Sequence, residues 1–407
     1  MRIAVIGAGL GGLLSAAALS KDHEVAVYEQ LDMYGGRFTN LPYKGFQLST
    51  GAFHMIPHGP TGPLALLLKD LSSKVKIVRS KPEATIMTRD MKQLPVMSFQ
   101  ELLSPAARMT MPLLIVKAMA LKTGTAAEFT RSDRNLLALA DSFCGWALST
   151  TAANTPMAEI SAILRNIQKY GMPGVPMGGC GGVVDELSSI VEGNDGRINL
   201  SSKVDSIRVK DGKASGLVTN GGFVPADVII SDIGHRLTTR MYDKKYLDPK
   251  YAEVLEKVKP SSGIKICLAA EEPLVGHSGV LFTPYTQRVN GVNEVTHIDP
   301  SLAPEGMHLT MSHQAMRTAD VQQEIRLGLQ DLKSLFQGKK YSVLMVQSYR
   351  DDWPVNRISS GYDLGNLTPV KGLFVVGDGA KGKGGIEVEG IALGVRNMLE
   401  LFNKAYS

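Results

Sequence analysis

The chain has 407 residues, 44% of them hydrophobic and 20% charged, with a formal net charge of +5. That length exceeds one ordinary core, so two domains are expected, and the composition is that of a globular protein rather than a disordered or fibrous one. The small net charge, without a long basic run, argues against a nucleic-acid partner, and three scattered cysteines (Cys144, Cys180, Cys267) with no CxxC pair fit a reducing cytoplasm.

In chain order, residues 2–6 read as a parallel-sheet strand, 11–20 as an Ala/Leu-rich helix and 24–28 as a second strand, a compact βαβ unit. The sequence opens on that first strand with no charged leader and apolar core ahead of it, so secretion is not expected. Short strands are expected from about Lys74, and a mostly helical block over 98–170 in which Ser104–Pro105 is an N-cap and N1 pair. Within it MTMPLLIVKAMAL (109–121) is too short to span a bilayer. It reads first as a buried helix, and second as a surface helix that dips into a membrane, although no basic cluster accompanies it. A Gly/Pro-rich stretch (171–182) precedes a helix over 183–191, strands near Ile198 and over 204–210 and 214–219, an Asn220–Gly221 hairpin turn and a buried strand over 227–231. Residues 236–364 mix strands (264–269, 343–347) with a helix over 319–336. A last strand (373–376) leads into a helix over 388–403.

Two Gly-rich segments at opposite ends of the chain carry the most information. In RIAVIGAGLGG (2–12), Gly7, Gly9 and Gly12 form GxGxxG between strand and helix. Gly7 allows the tight turn, Gly9 the close approach of a pyrophosphate, and Gly12 the packing of helix on sheet. Glu29 ends the second strand in register to accept hydrogen bonds from a ribose. The second segment, LFVVGDGAKGKGGIEVEG (373–390), again sets glycines after a buried-type strand, so both ends of the chain are expected to converge on one dinucleotide.

With Gly35–Gly36–Arg37 after Glu29, and Gly377–Asp378 near the C-terminus, the sequence resembles the flavin-dependent amine oxidases, protoporphyrinogen oxidases and phytoene desaturases. The resemblance implies an α/β fold: a Rossmann-like FAD-binding domain (GR2-type) with an inserted α+β substrate-binding cap. Residues 1–75, 175–235 and 365–407 would form the FAD half, and 76–174 and 236–364 the cap. It implies non-covalent FAD, since no cysteine lies in the C-terminal segment. By the same resemblance Gly36 and Arg37 lie along the adenosine diphosphate, the Val204 backbone meets adenine, Gly377 and Asp378 meet the ribityl or pyrophosphate region, and Val388 begins the helix facing the flavin. The family's Asp-x-Gly is absent from FQLSTG (46–51), where Ser49 takes the acid's place.

The chemistry is then expected at the flavin, not at a triad or metal cage. No HExxH occurs and His54 and His58 merely flank Pro57, so no metal site is expected; His54 is a candidate pocket residue by the resemblance. Lys265, in GIKICLAAEEP, resembles the lysine that holds a water near the flavin in amine oxidases. The alternative is an edge-strand lysine facing solvent. Glu387 and Glu389 either offset the final helix's dipole or tune the flavin. Trp146, Arg240, Tyr285 and Trp353 are possible substrate contacts. The function expected is two-electron transfer at a C–C bond of an apolar, isoprenoid or lipid-like substrate, with a separate electron acceptor. Peripheral membrane contact, an amine substrate, or a non-catalytic prenyl carrier of the GDP-dissociation-inhibitor type are the alternatives. Oligomeric state is not legible.

Overall fold

Both faces of the strand Arg2–Ile6 are covered, and that arrangement sets the architecture. Ile3 and Val5 point into one apolar cluster, Ala4 and Ile6 into another. In the computed structural model, which describes residues 1–51, 53–359, 361 and 364–406, this strand is the centre of a five-stranded parallel sheet. The order is Leu373–Val375, Val228–Ser231, Arg2–Ile6, Glu24–Tyr28, Arg197–Asn199. Parallel strands need both faces buried, which explains their continuous Ile/Val/Leu runs. Helices Leu10–Leu19, Gly179–Gly193 and Glu387–Tyr406 cover one face. A three-stranded antiparallel sheet (Val204–Lys210, Lys213–Thr219, Gly222–Pro225) packs toward the other through Ile207 and Leu217. The two terminal segments thus share one sheet, separated only by Val228–Ser231.

A seven-stranded sheet forms the second layer system, in the order Ser342–Tyr349, Gly263–Ala270, His308–Ala315, Gly291–Glu294, Val280–Phe282, Ala84–Met87, Gln93–Pro95. Its pairings are antiparallel apart from Val280–Phe282 with Ala84–Met87. Strand alternation sends Ile264, Ile266 and Leu268 into a cluster shared with Leu332 and Phe336 at the end of helix Val321–Leu335. The opposite face turns toward a helical layer, Arg134–Leu148 and Met157–Tyr170.

Three expectations need correction. Residues 96–102 are a 3-10 turn, and the first full helix of the block starts at Pro105, capped by Ser104, whose Oγ accepts from Ala107 N at 3.3 Å. The helix expected from 183 begins at Gly179, because Gly178 and Gly179 take φ of +79° and +67° and bring the chain into the helix four residues early. The 109–121 segment is not buried. Helix Pro105–Ala120 lies on the surface, with Met111 and Ala118 inward and Met109, Leu113 and Val116 exposed by 65–85%.

Candidate functional site: a dinucleotide cleft ending in an apolar chamber

One cavity of about 630 Å³ runs along the C-terminal edge of the parallel sheet and under the seven-stranded one. Ligands bind at this edge in open α/β sheets, where the strand order reverses. Gly7, Gly9, Gly11, Glu29, Gly36, Arg37, Val204, Asp378 and Val388 all line it, so residues from four distant stretches of sequence meet in one cleft.

The turn after the first strand is shaped by what a side chain would meet. A Cβ on Gly12 would lie 2.1 Å from Gly7 O; one on Gly9, 2.4 Å from an Asp232 carboxylate oxygen; one on Gly11, 2.6 Å from Gly377 N. Gly12 therefore packs helix Leu10–Leu19 onto the turn, while the missing side chains of Gly9 and Gly11 leave room for the Asp232 carboxylate and, at Gly11, for the Gly377 backbone. Gly377, at φ +81°, brings the C-terminal segment against Gly11 and does not itself line the cavity. Gly35 N donates to Ala8 O at 2.7 Å and joins the GGR turn to the same floor. Glu29 is buried and accepts from Ala8 N and Leu31 N, both at 2.9 Å, which fixes its carboxylate at the cleft wall.

Arg37 and Asp378 face each other. Arg37 Nη2 donates to Asp378 Oδ2 at 2.7 Å, and Nη1 donates to the carbonyls of Pro354 and Val355 at 2.6 and 2.8 Å. Asp378 also accepts from Arg357 N at 2.7 Å. Burial works to raise the Asp378 carboxyl, but Arg37 and Arg357 outweigh it and hold it below the usual range. These bonds tie the GGR turn, the C-terminal segment and the stretch 353–357 into one wall. Arg357 Nε has no hydrogen-bond partner among the described residues, lies 3.6 Å from Asp378 Oδ1 and faces the cavity.

Asp232 was not singled out from sequence, yet it stands in the middle of the cradle. Its carboxylate lies over Gly9, Gly11 and Gly377. Burial pushes its carboxyl up to about 7 against the opposing Gly12 N–H, with Asp378 adding to the rise. The available signal was its position directly after the parallel-sheet strand Val228–Ser231, on the ligand-binding edge. Arg357 and Tyr349 were missed as well; the Tyr349 hydroxyl donates to the carbonyls of Thr50 and Gly51 at 3.0 and 2.7 Å.

Lys265 is not on an edge. Its strand is paired on both sides, the side chain is fully buried, and Nζ donates to Ser49 O, Ser49 Oγ (2.8 Å) and Gly51 O. All three ammonium protons are engaged, so Lys265 braces the 49–51 turn behind the cavity wall instead of lining it. Burial pulls its pKa down to about 8. His54 is likewise occupied: Nδ1 accepts from Cys180 N at 2.9 Å, which leaves Nε2 to donate to Gln47 O at 2.8 Å. Burial holds it near 4, so it is a neutral brace, and it does not line the cavity. The two helix-start acids differ. Glu389 is buried and accepts from His58 N and Leu64 N at 3.0 and 2.8 Å, anchoring the 58–64 turn. Glu387 faces the cavity at φ +44°, with Oε1 unpartnered among the described residues; burial raises it to about 7 against Lys381 and Arg37.

Beyond the cradle the cavity is apolar. Trp146 stacks on Phe53 at 4.0 Å and 19°, in space left by Gly291, where a Cβ would sit 2.6 Å from the indole. Arg240 and Trp353 also line the cavity. Tyr285 does not: its hydroxyl donates to Asn135 and its ring lies under Arg89.

The cleft fits what FAD requires: a glycine turn at a helix N-terminus, a buried carboxylate (Glu29) that would accept from a ribose, and two arginines, one with an orphaned buried N–H. The family of flavin-containing amine oxidoreductases matches residues 10–390, and the chain belongs to it. It is an FAD-dependent oxidoreductase with a Rossmann-like FAD-binding domain and a cap, which sets aside the carrier reading. An oxidoreductase of Methanosarcina mazei has a crystal structure 49% identical in sequence, with a TM-score of 0.95 over 98% of this chain and 100% of that one. An uncharacterised protein of Methanocaldococcus jannaschii is 46% identical over 99% of this chain and 100% of its own length. The carrot (Daucus carota) prolycopene isomerase is 27% identical over 60% of this chain and 47% of its own length.

Proposed function

We propose that the protein carries out two-electron exchange at a C–C bond of an apolar, isoprenoid-type substrate taken from a membrane surface. The observation that carries this is the far chamber. From the stretches 143–173 and 280–282 its lining residues are Phe143, Trp146, Ala147, Ile167, Met172, Pro173, Val280 and Phe282, without a charge or a hydroxyl. An amine would need a carboxylate or an open aromatic slot there; Phe53 and Trp146 are closed on each other. The carrot relative, named for prolycopene, supports the same class of substrate.

FAD, when bound, supplies a site that accepts or returns a hydride. In the oxidising direction the substrate would lose two hydrogens from neighbouring carbons, a hydride equivalent and a proton, and the chamber residues would hold the chain so that those carbons face the cofactor cleft. A separate electron acceptor closes the cycle. The protein's part is to hold the apolar chain in a dry chamber and keep the cradle charges on the nucleotide side. The supporting test is anaerobic absorbance of the bound flavin during addition of polyprenoids, carotenoid precursors and amines, with both oxidised and reduced enzyme. A spectral change with the isoprenoids and none with amines is expected. A response to amines alone would overturn the reading.

A further inference from the structure

At one end of the seven-stranded sheet stands a second cluster, none of whose residues lines the cavity. Glu294 ends strand Gly291–Glu294, His297 sits on the 3-10 turn that follows, and His308 opens strand His308–Ala315. His297 Nε2 lies 3.0 Å from one Glu294 oxygen and His308 Nδ1 lies 3.5 Å from the other. One donor atom from each of the three residues falls within 4.8 Å of both others. No other group of three or more His, Cys, Asp or Glu among the described residues is placed in this way.

We propose that Glu294, His297 and His308 bind a divalent transition-metal ion of the zinc type. In a tetrahedral site with bonds of about 2.0 Å the ligand-to-ligand edges are about 3.3 Å; His308 Nδ1 stands 3.5 Å from Oε1, close to such an edge, and His297, whose Nε2 lies 3.0 Å from the other oxygen, Oε2, keeps a donor atom within 4.8 Å of the other two ligands. The carboxylate is held in place in advance. Glu294 is fully buried, and its oxygens accept from Leu274 N (3.1 Å), Val275 N (2.9 Å) and Gly276 N (2.9 Å). Oε2 takes two of those N–H groups and Oε1 only one, so Oε1 keeps a lone pair for the metal on the side facing His308. Such outer bonds orient a ligand and are part of what makes a site selective. The two imidazoles are about a quarter exposed, which gives the ion an entry path and leaves the fourth position to water. His277 stands nearby but is committed elsewhere: Nε2 to Thr85 Oγ1 (2.8 Å) and Gln93 Oε1 (2.9 Å), and Nδ1 to Gly279 N. Two imidazole nitrogens and one carboxylate suit zinc, nickel or copper, and give magnesium or calcium too few oxygens. A scan of the sequence for metal motifs passes over this site because its ligands come from a strand end, a turn and the next strand.

The test uses the full-length, FAD-loaded protein after chelator treatment and desalting. Isothermal titration with zinc chloride should give one equivalent bound per chain, and magnesium chloride should give none. His297→Ala and His308→Ala should each weaken zinc binding at least tenfold. Cobalt should show the intense visible bands of a four-coordinate ion in the parent protein and lose them in the double variant. Retained flavin absorbance in the variants shows that they are folded. If the parent takes up zinc no more tightly than the double variant, the cluster is a pair of ordinary histidine–carboxylate hydrogen bonds and the proposal fails.

Discussion

Asp232 is the residue at which charge and cofactor meet most directly. A carboxylate set over Gly9, Gly11 and Gly377 sits on the turn that would hold a pyrophosphate, and its folded-state pKa is raised to about 7 by burial. An acid with a folded pKa above its unfolded one binds more protons folded than unfolded. Its contribution to stability is therefore present at low pH and is lost as pH rises through about 7. The same sign would apply to a bound dinucleotide: the ionised carboxylate would repel a nearby phosphate, and the protonated acid would not. Between pH 6 and 8 the FAD dissociation constant should rise about tenfold, and Asp232→Asn should flatten that slope, as read by quenching of flavin fluorescence. A slope unchanged in the variant would assign the titration elsewhere, with Glu387 the next group of raised pKa in the cavity. Neither acid's role is written in the local sequence. Gly7, Gly9 and Gly12 are legible because a strand, a turn and a helix over eleven residues define their job. Asp232 acquires its own only when the strand Val228–Ser231 is placed beside Arg2–Ile6. Lys265 shows the converse. Its strand was readable and its alternation correct, but the three oxygens that occupy its ammonium come from residues 49 and 51, more than two hundred positions away.

At the scale of elements, helix Pro105–Ala120 is the one whose surface asks for a partner. Met109, Leu113 and Val116 follow i, i+4, i+7 spacing and are 85%, 68% and 65% exposed, on the side opposite the buried Met111 and Ala118. Between residues 104 and 122 the charges are Arg108, Lys117 and Lys122, with no acid among them. Three cations make no basic cluster, but none of the charges would oppose an anionic bilayer, where each cation near the surface contributes about 1 kcal/mol. The helix rests on Met157–Tyr170 through Ser161, which donates to Ala118 O and to Leu121 O, and Ile167 of that second helix lines the chamber. If the first helix rests on a lipid surface, as the proposed function requires, that surface would be one helix away from the chamber. Flotation with phosphatidylglycerol-containing vesicles should recover the protein, neutral vesicles or high salt should recover less, and Leu113→Glu with Val116→Glu should abolish it while leaving flavin content unchanged. Equal recovery of parent and variant would remove the helix from membrane contact. Sequence reading favoured a buried helix here because hydropathy alone cannot tell a face turned inward from one turned out. Only the placement of Ser161 and Arg165 under its C-terminal end, where Arg165 donates to Met119 O at 2.6 Å, fixes which side is covered.

For the molecule as a whole, the fold closes around the cofactor cleft, where segments near residues 9, 37, 204, 232, 357 and 378 come together. Asp378 is the knot: it pairs with Arg37 at 2.7 Å and fixes the Arg357 backbone at 2.7 Å, with its own side chain 8% exposed. Breaking a buried ion pair by removing one partner costs about 3–5 kcal/mol, because the other charge is left unpaired. Asp378→Asn should therefore lower the melting temperature of the FAD-free protein. Binding to the folded state alone adds RT ln(1 + [L]/Kd), about 2.7 kcal/mol at a hundredfold excess over Kd. A residue that only braces the chain would reduce the first melting temperature and leave that increment intact. A residue that also shapes the cleft reduces both, and the walls it joins, Arg37 and Arg357, are the cations left to face the dinucleotide. The expected result is a lower melting temperature without FAD and a smaller rise on adding it, measured by calorimetry at fixed FAD concentration. An undiminished rise would confine Asp378 to holding the termini together and would shift the anion-binding work to the glycine turn and its helix.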